Sequence, residues 1–244
     1  MENIYALAKK LQFLDAVVPL RWRVPFRYQI QRFVGGLESE MQLLSSLVAQ
    51  DKVAVDIGGN RGTYAYALSK LARQVLTFEP IPACAKLLRS WADGKNIIVH
   101  ECGLGDYEDT LILHIPRLHG SLFTTRASFS RIGGEGVDVP VAIKTLDQFA
   151  LDNVGFIKID VEGFEFSTLK GAQDTLQRCH PNILIEIDTQ QQSTETFAAT
   201  FAWLEHEGYQ GHFFENGTLH KCRADVQSDQ PNRCNFIFLP VAQS

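Results

Sequence analysis

The chain has no long hydrophobic run, no paired-cysteine pattern and no common phosphate-loop fingerprint. No stretch of about 18 consecutive apolar residues occurs, which excludes an apolar membrane-crossing helix. The five cysteines (Cys84, Cys102, Cys179, Cys222, Cys234) are odd in number and form no C-x-x-C. They read as reduced thiols, against a disulfide framework or a zinc site. None of the seven histidines belongs to an H-E-x-x-H pair. A cleavable leader is not expected: Lys9-Lys10 precede an apolar stretch, but Asp15 interrupts it and no small-residue cleavage site follows. A cytoplasmic location is the resulting expectation. Internal repeats and low-complexity segments are missing as well.

Positive charge is scarce outside one end. Residues 1–36 carry six basic side chains against Glu2 and Asp15, a net of +4, which leaves −9 for the remainder of a chain that nets −5. An acidic body speaks against nucleic acid as partner. Ile4, Leu7, Leu11, Leu14 and Val18 recur at helical steps before Pro19 stops them. Arg21 to Arg32 interleave arginine with Trp22, Phe26 and Tyr28. That segment reads as a helix and loop covering the body or as a homodimer contact, in preference to an arm on a membrane surface or an anionic substrate. Gly35-Gly36 is a plausible joint, so 1–36 is expected to be a helical, basic appendage on a domain spanning 37–244. Leu37 to Ala49 should be a helix.

The body starts on Lys52–Gly62, KVAVDIGGNRG. An apolar run holding one acid, ended by glycines and followed by helical periodicity from Thr63, is a buried parallel strand turning into a helix. Such turns lie where open α/β sheets bind ligands. The glycines permit a close backbone approach, and the helix start offers free N–H groups. A dinucleotide fingerprint counted from Gly58 needs glycine at 60 and 63, where the chain has Asn60 and Thr63. The Gly94-Lys95 pair is followed by Asn96, so a P-loop fails too. A second buried strand, Gln74 to Phe78, leads to Glu79, 23 residues after Asp56. An acid at the end of the next strand faces a ribose bound at the first turn, where a carboxylate accepts both hydroxyls.

Further strands are expected at Asn96–Glu101, Val154–Ile159, Ile183–Ile187 and Asn235–Leu239. Helices are expected at Tyr64–Leu71, Ala83–Trp91, Gly171–Cys179 and Thr194–Glu207. Thr110–Pro116 and Val137–Ile143 break the strand–helix rhythm and predict an inserted β-hairpin flap. Asn216-Gly217 is a hairpin turn signal, and Thr145 to Gln148 a capping box. After the third strand, Gly103 and Leu104 form a natural wall for a flat base, with Asp106 as acceptor for an exocyclic amine. Lys158, Asp160 and Glu162 alternate, so on a strand they share one face.

Asp56-x-Gly58-x-Asn60-x-Gly62 resembles the first motif of S-adenosylmethionine-dependent methyltransferases. The segment Phe156 to Glu165, FIKIDVEGFE, is similar to the hallmark of FkbM-type methyltransferases. The same order of parts is met in Phe78-Glu79-Pro80, Thr145-Leu146-Asp147, Leu169-Lys170-Gly171-Ala172 and Pro181–Glu186. The resemblance covers roughly residues 37–240; Gly59 stands where the family often has alanine. It implies a Rossmann-like class I methyltransferase, α/β, with a seven-stranded mostly parallel sheet between helices and the last strand antiparallel. It also implies methyl transfer from S-adenosyl-L-methionine to a hydroxyl of a natural product, sugar or glycan, with S-adenosylhomocysteine as product. Asp56, Gly58, Asn60, Gly62, Tyr64, Glu79, Gly103, Leu104 and Asp160 would bind the cofactor. Glu162 would be the acceptor base or orienting carboxylate, Asp160 would line the cofactor–substrate junction, and Lys158 would pair with one of them. No metal is required; Asp160, Glu186 and Asp188 are the fallback oxygen ligands. His119 is a further candidate base. A binding module without turnover and a nucleotide-dependent oxidoreductase are the rival readings.

Overall fold

The computed structural model describes residues 17–118, 121, 122, 124, 127, 135–188, 193–226 and 234–241. Most of the helix expected at 4–18, and His119, lie outside the described residues. Helix α1 (Leu20–Phe33) is followed by a 3-10 turn (Ser39–Leu43) and a single helical turn, α2 (Leu44–Leu47). A continuous helix over 37–49 does not form. Ser46 Oγ donates to the Leu43 carbonyl at 2.8 Å, a local bond of the kind that competes with helix propagation.

Strand β1 (Val53–Ile57), helix α3 (Thr63–Leu68), β2 (Gln74–Phe78), α4 (Pro82–Ala92) and β3 (Ile97–His100) follow with short connections. The expected flap hairpin is β5 (Asp109–Leu118) and β7 (Gly136–Lys144), joined by two short strands not foreseen, β4 (Gly103–Leu104) and β6 (Ser121–Leu122). The α/β alternation resumes with β8 (Val154–Ile159), α5 (Glu165–Lys170), α6 (Gln173–Cys179) and β9 (Asn182–Glu186). The chain closes with α7 (Thr194–His206), β10 (Tyr209–Glu215), β11 (Thr218–Lys221) and β12 (Asn235–Pro240).

Among the described residues the main sheet has eight strands in the order β11-β10-β12-β9-β8-β1-β2-β3. Strands β3, β2, β1, β8 and β9 pair in parallel, and β12 runs antiparallel between β9 and β10. That is the expected mostly parallel α/β sheet with its last strand reversed. The eighth strand is β11, folded back from β10 through Asn216 and Gly217. Both have positive φ (50° and 80°), as a two-residue hairpin turn requires. The flap strands form a separate sheet, β4-β7-β5-β6.

Apolar side chains on the two faces of the main sheet make two cores. One joins β1, β8 and β9 to α6 and α7 through Val55, Ile157, Ile185 and Phe201. The other holds α1, α3 and α4 through Val24, Leu68 and Leu88. Helix α1 therefore lies on the body, with Val24 only 1% exposed. A third, smaller cluster ties Leu113, Ile115, Val141 and Ile143 of the flap to Ile81 and Cys84. All five cysteines are free thiols. Among the described residues no helix is long and apolar enough to cross a membrane.

Candidate active site

Strands β1, β2 and β8 deliver their carboxyl ends to one edge of the sheet, and two cavities open there. The larger, about 300 Å³, has apolar walls from Ile57, Phe78, Ile81 and Leu113, and takes in Gly58, Asn60, Glu79 and Glu162. The smaller, about 210 Å³, lies over Asp56, Gly59, Thr63, Tyr64 and Lys158. Gly58, Asn60, Asp160 and Glu38 line both.

The turn between β1 and α3 is shaped by its neighbours in the protein. At Gly58, φ is +85° and a Cβ would meet the Asp160 carbonyl oxygen at 1.8 Å, so only glycine lets β1 and the end of β8 close together. At Gly62, φ is +88° and a Cβ would sit 2.9 Å from Val24 and 2.8 Å from Leu88. These glycines serve the fit of backbone to protein, a demand that the sequence alone assigned to a ligand. Asn60 has φ 42°, a left-handed conformation that asparagine tolerates better than most residues. Its side-chain oxygen accepts from Thr124 Oγ1 at 3.1 Å, which ties the flap to the turn.

Glu79 follows β2 and is 2% exposed. Its Oε2 accepts from the Asn60 amide at 2.6 Å and its Oε1 from the Ile81 amide at 2.7 Å. Each carboxylate oxygen has a second acceptor direction, and the residue lines the larger cavity. Burial pushes its carboxyl up to about 7, against the pull of the two amides. Asp56, 1% exposed, accepts from Thr77 Oγ1 at 3.1 Å. Burial pushes it up to about 6, opposed by Lys158 and the Thr77 bond.

Strand β8 ends at Ile159, so the alternation that put Lys158, Asp160 and Glu162 on one face stops before Glu162. Asp160 still donates its amide to Ile57 O at 3.0 Å, but Glu162 turns into the left-handed region at φ 50°. The three separate accordingly: Lys158 lines the smaller cavity, Glu162 the larger, Asp160 both. Lys158 is 1% exposed, 3.7 Å from Asp160 Oδ2, with its amine 5.0 Å from the Tyr64 ring centroid. Burial works against its charge, yet the carboxylates of Asp160, Glu38, Glu186 and Asp56 together hold its pKa above the ordinary lysine value.

Cys102, Gly103 and Leu104 line the larger cavity. Asp106 does not join them. It accepts from Ser167 Oγ at 2.5 Å and Lys170 Nζ at 2.8 Å, fastening its loop to α5. Glu186 lines the larger cavity, where burial and then Asp160 push it up to about 7. Among the described residues no group of three or more His, Cys, Asp or Glu is placed to hold a metal, so Asp160, Glu186 and Asp188 are not drawn together as ligands. Asp147 instead caps α6, accepting from the Asp174 and Thr175 amides at 3.0 and 2.8 Å. Sequence reasoning missed Glu38, Gln31 and Thr124. Gln31 and Glu38 precede the first strand, carry no motif, and reach the cavities only because α1 packs on α3 and α4.

A model of the Methyltransferase FkbM domain matches residues 56–210, more than half of the chain. "Methyltransferase 1" of Beauveria bassiana (strain ARSEF 2860) is 27% identical over 183 residues, 65% of this chain and 72% of that protein. The "2-O-methyltransferase NoeI" of Sinorhizobium fredii (strain NBRC 101917 / NGR234) is 25% identical over 171 residues, 63% of this chain and 70% of that one. The crystal structure of Methyltransferase FkbM from Methylobacillus flagellatus KT superposes with a TM-score of 0.53 at 18% identity, covering 97% of this chain. The present chain spans 60% of the length of that structure. The Streptococcus mutans protein SMU.1697c, solved in complex with SAH, has a TM-score of 0.50 at 10% identity, covering 83% of this chain and 96% of that one. At those identities the two structures speak for the fold alone. The family match extends from the acid of the first turn through the whole of the β8 segment, and on it the chain belongs to the FkbM methyltransferase family and is an enzyme of methyl transfer.

Proposed function

We propose that the enzyme moves a methyl group from S-adenosylmethionine to a hydroxyl of a small natural product, sugar or glycan. The observation that carries this reading is the pair of cavities meeting at Gly58, Asn60 and Asp160, with Glu79 locked into the floor of the larger one. The fit is chemical. Apolar walls suit a purine, a buried acceptor-only carboxylate suits ribose hydroxyls, and a polar second cavity suits an amino-acid arm. Bound there, S-adenosylmethionine supplies an already activated methyl on its sulfonium.

What remains for this chain is alignment and proton handling. Glu79 accepts ribose hydroxyls while the Asn60 and Ile81 amides fix its position. Leu104 and Gly103 wall the base; Asp56 and Tyr64 shape the arm's cavity. Asp160 lines the junction, 3.7 Å from the Lys158 amine. Glu162 holds the acceptor hydroxyl and takes its proton. Its left-handed backbone costs about 1–2 kcal/mol, and such strain recurs at working sites. The same reading takes 37–244 as the methyltransferase body and 1–36 as an appendage whose helix closes one side of the smaller cavity. The name of the Sinorhizobium relative, a 2-O-methyltransferase, supports oxygen as the atom methylated.

The test is incubation with methyl-labelled S-adenosylmethionine and a panel of hydroxylated acceptors, beside thermal shifts with S-adenosylhomocysteine, NAD and ATP. A ligand that binds the native state raises stability by mass action. Stabilisation by S-adenosylhomocysteine and label in an ether product are expected. A shift with NAD alone defeats the reading.

A further inference from the structure

Glu38 lies in the stretch between α1 and the 3-10 turn, 18 residues ahead of the family match. It nevertheless lines both cavities. The Tyr64 phenol donates to its Oε2 at 2.6 Å, and Tyr64, on α3 behind the glycine turn, is only 8% exposed. Burial and the Glu38 charge push the phenol's pKa up, so Tyr64 stays a neutral donor. One oxygen of Glu38 is thus anchored to the same helix that follows the first turn. Arg61 lines the smaller cavity as well. That cavity therefore presents charge of both signs, the pattern that suits an amino-acid zwitterion.

We infer that Glu38 is the carboxylate that receives the α-ammonium of the donor's methionyl arm, a specificity residue supplied from outside the family motifs. The inference rests on the cofactor reading given above. Lys158 is already turned to Asp160, and Asp56 is held by Thr77 beneath the turn. Glu38 lines the same cavity, its Tyr64 partner is a neutral donor that adds no charge, and it shares the Lys158 cation with Asp160, Glu186 and Asp56. A hydrogen bond to a charged group, once lost, changes affinity by about ten- to a hundredfold.

The test compares two ligands that share the adenosyl thioether and differ in the amino-acid arm: S-adenosylhomocysteine, and 5′-methylthioadenosine, which lacks the ammonium. Calorimetric titration of the full chain and of E38Q reads both affinities; glutamine keeps an acceptor for Tyr64 and removes only the charge. The expected result is about a tenfold or greater loss for S-adenosylhomocysteine with less than about a twofold change for 5′-methylthioadenosine. Y64F, which frees Glu38 without discharging it, should fall between E38Q and the unaltered chain for S-adenosylhomocysteine. Equal weakening of both ligands by E38Q assigns Glu38 a structural part and overturns the inference, as does no change in either. If the unaltered chain binds neither compound, the cofactor reading itself fails, a result distinct from binding that E38Q leaves untouched.

Discussion

The backbone amide of Asn60 donates to Glu79 Oε2 across 2.6 Å, so the turn after the first strand and the tip of the second are one hydrogen-bonded unit. Removing the carboxylate strands two amides, the buried one of Ile81 and the part-buried one of Asn60. Glu79→Ala should therefore weaken S-adenosylhomocysteine binding by about ten- to a hundredfold. It should also lower the unfolding midpoint of the ligand-free protein. Calorimetry and urea unfolding check the two effects separately.

The raised carboxyl of Glu79 makes a pH prediction with a definite sign. Its folded pKa, about 7, exceeds the ordinary 4.5, so the folded state holds the proton more tightly. The stabilisation is complete below the ordinary value and disappears as pH rises through about 7. Glu79→Gln should therefore gain stability relative to the unaltered chain between pH 5 and pH 8, by urea unfolding at each pH. In the unaltered chain, S-adenosylhomocysteine should bind more tightly over the same rise, because ribose hydroxyls need the ionised acceptor.

Lys158→Met leaves Asp160 and Asp56 facing the smaller cavity without their buried cation. Breaking such a pair costs roughly 3 kcal/mol, the low end of the buried range, because Asp160 keeps about a third of its side chain in solvent. Urea unfolding reads the loss. Turnover should fall with it even where the fold persists.

Glu162→Gln should reduce kcat by about a hundredfold or more while S-adenosylhomocysteine affinity moves less than about threefold, the split expected of a general base. Equal losses in both would place the residue in the scaffold. The same assay run before and after dialysis against EDTA should give equal rates, because the sulfonium methyl is already activated and the chain has chiefly to align the acceptor.

Gly62→Ala tests whether α1 and the turn after β1 are mechanically joined. The new methyl would press on Val24 and Leu88, and φ +88° is unfavourable for alanine, so a loss of roughly 2 kcal/mol or more is expected. Trimming Val24 to alanine as well should recover part of it.

The strands that build the site were readable because a parallel strand covered on both faces is a continuous apolar run. Val53–Ile57 and Val154–Ile159 are found where the pattern put them. The Asn216-Gly217 turn was readable for an equally local reason. Positions decided by tertiary contact were not. Glu38 and Gln31 carry no periodic or spacing signal, and their presence at the cavities depends on Val24 settling against Gly62. Asp106 looked like a base-reading acid because nothing local revealed that Ser167 and Lys170, more than sixty positions away, would take its oxygens. Glu162 escaped its expected face because an alternating pattern does not show where a strand stops.

The flap keeps an apolar cluster of its own, moored to the remainder through Ile81 and Cys84. Leu113 and Ala127 of that insert also border the larger cavity. Substitutions along this hairpin can thus reshape one wall of that cavity while the parallel strands that floor it stay as they are.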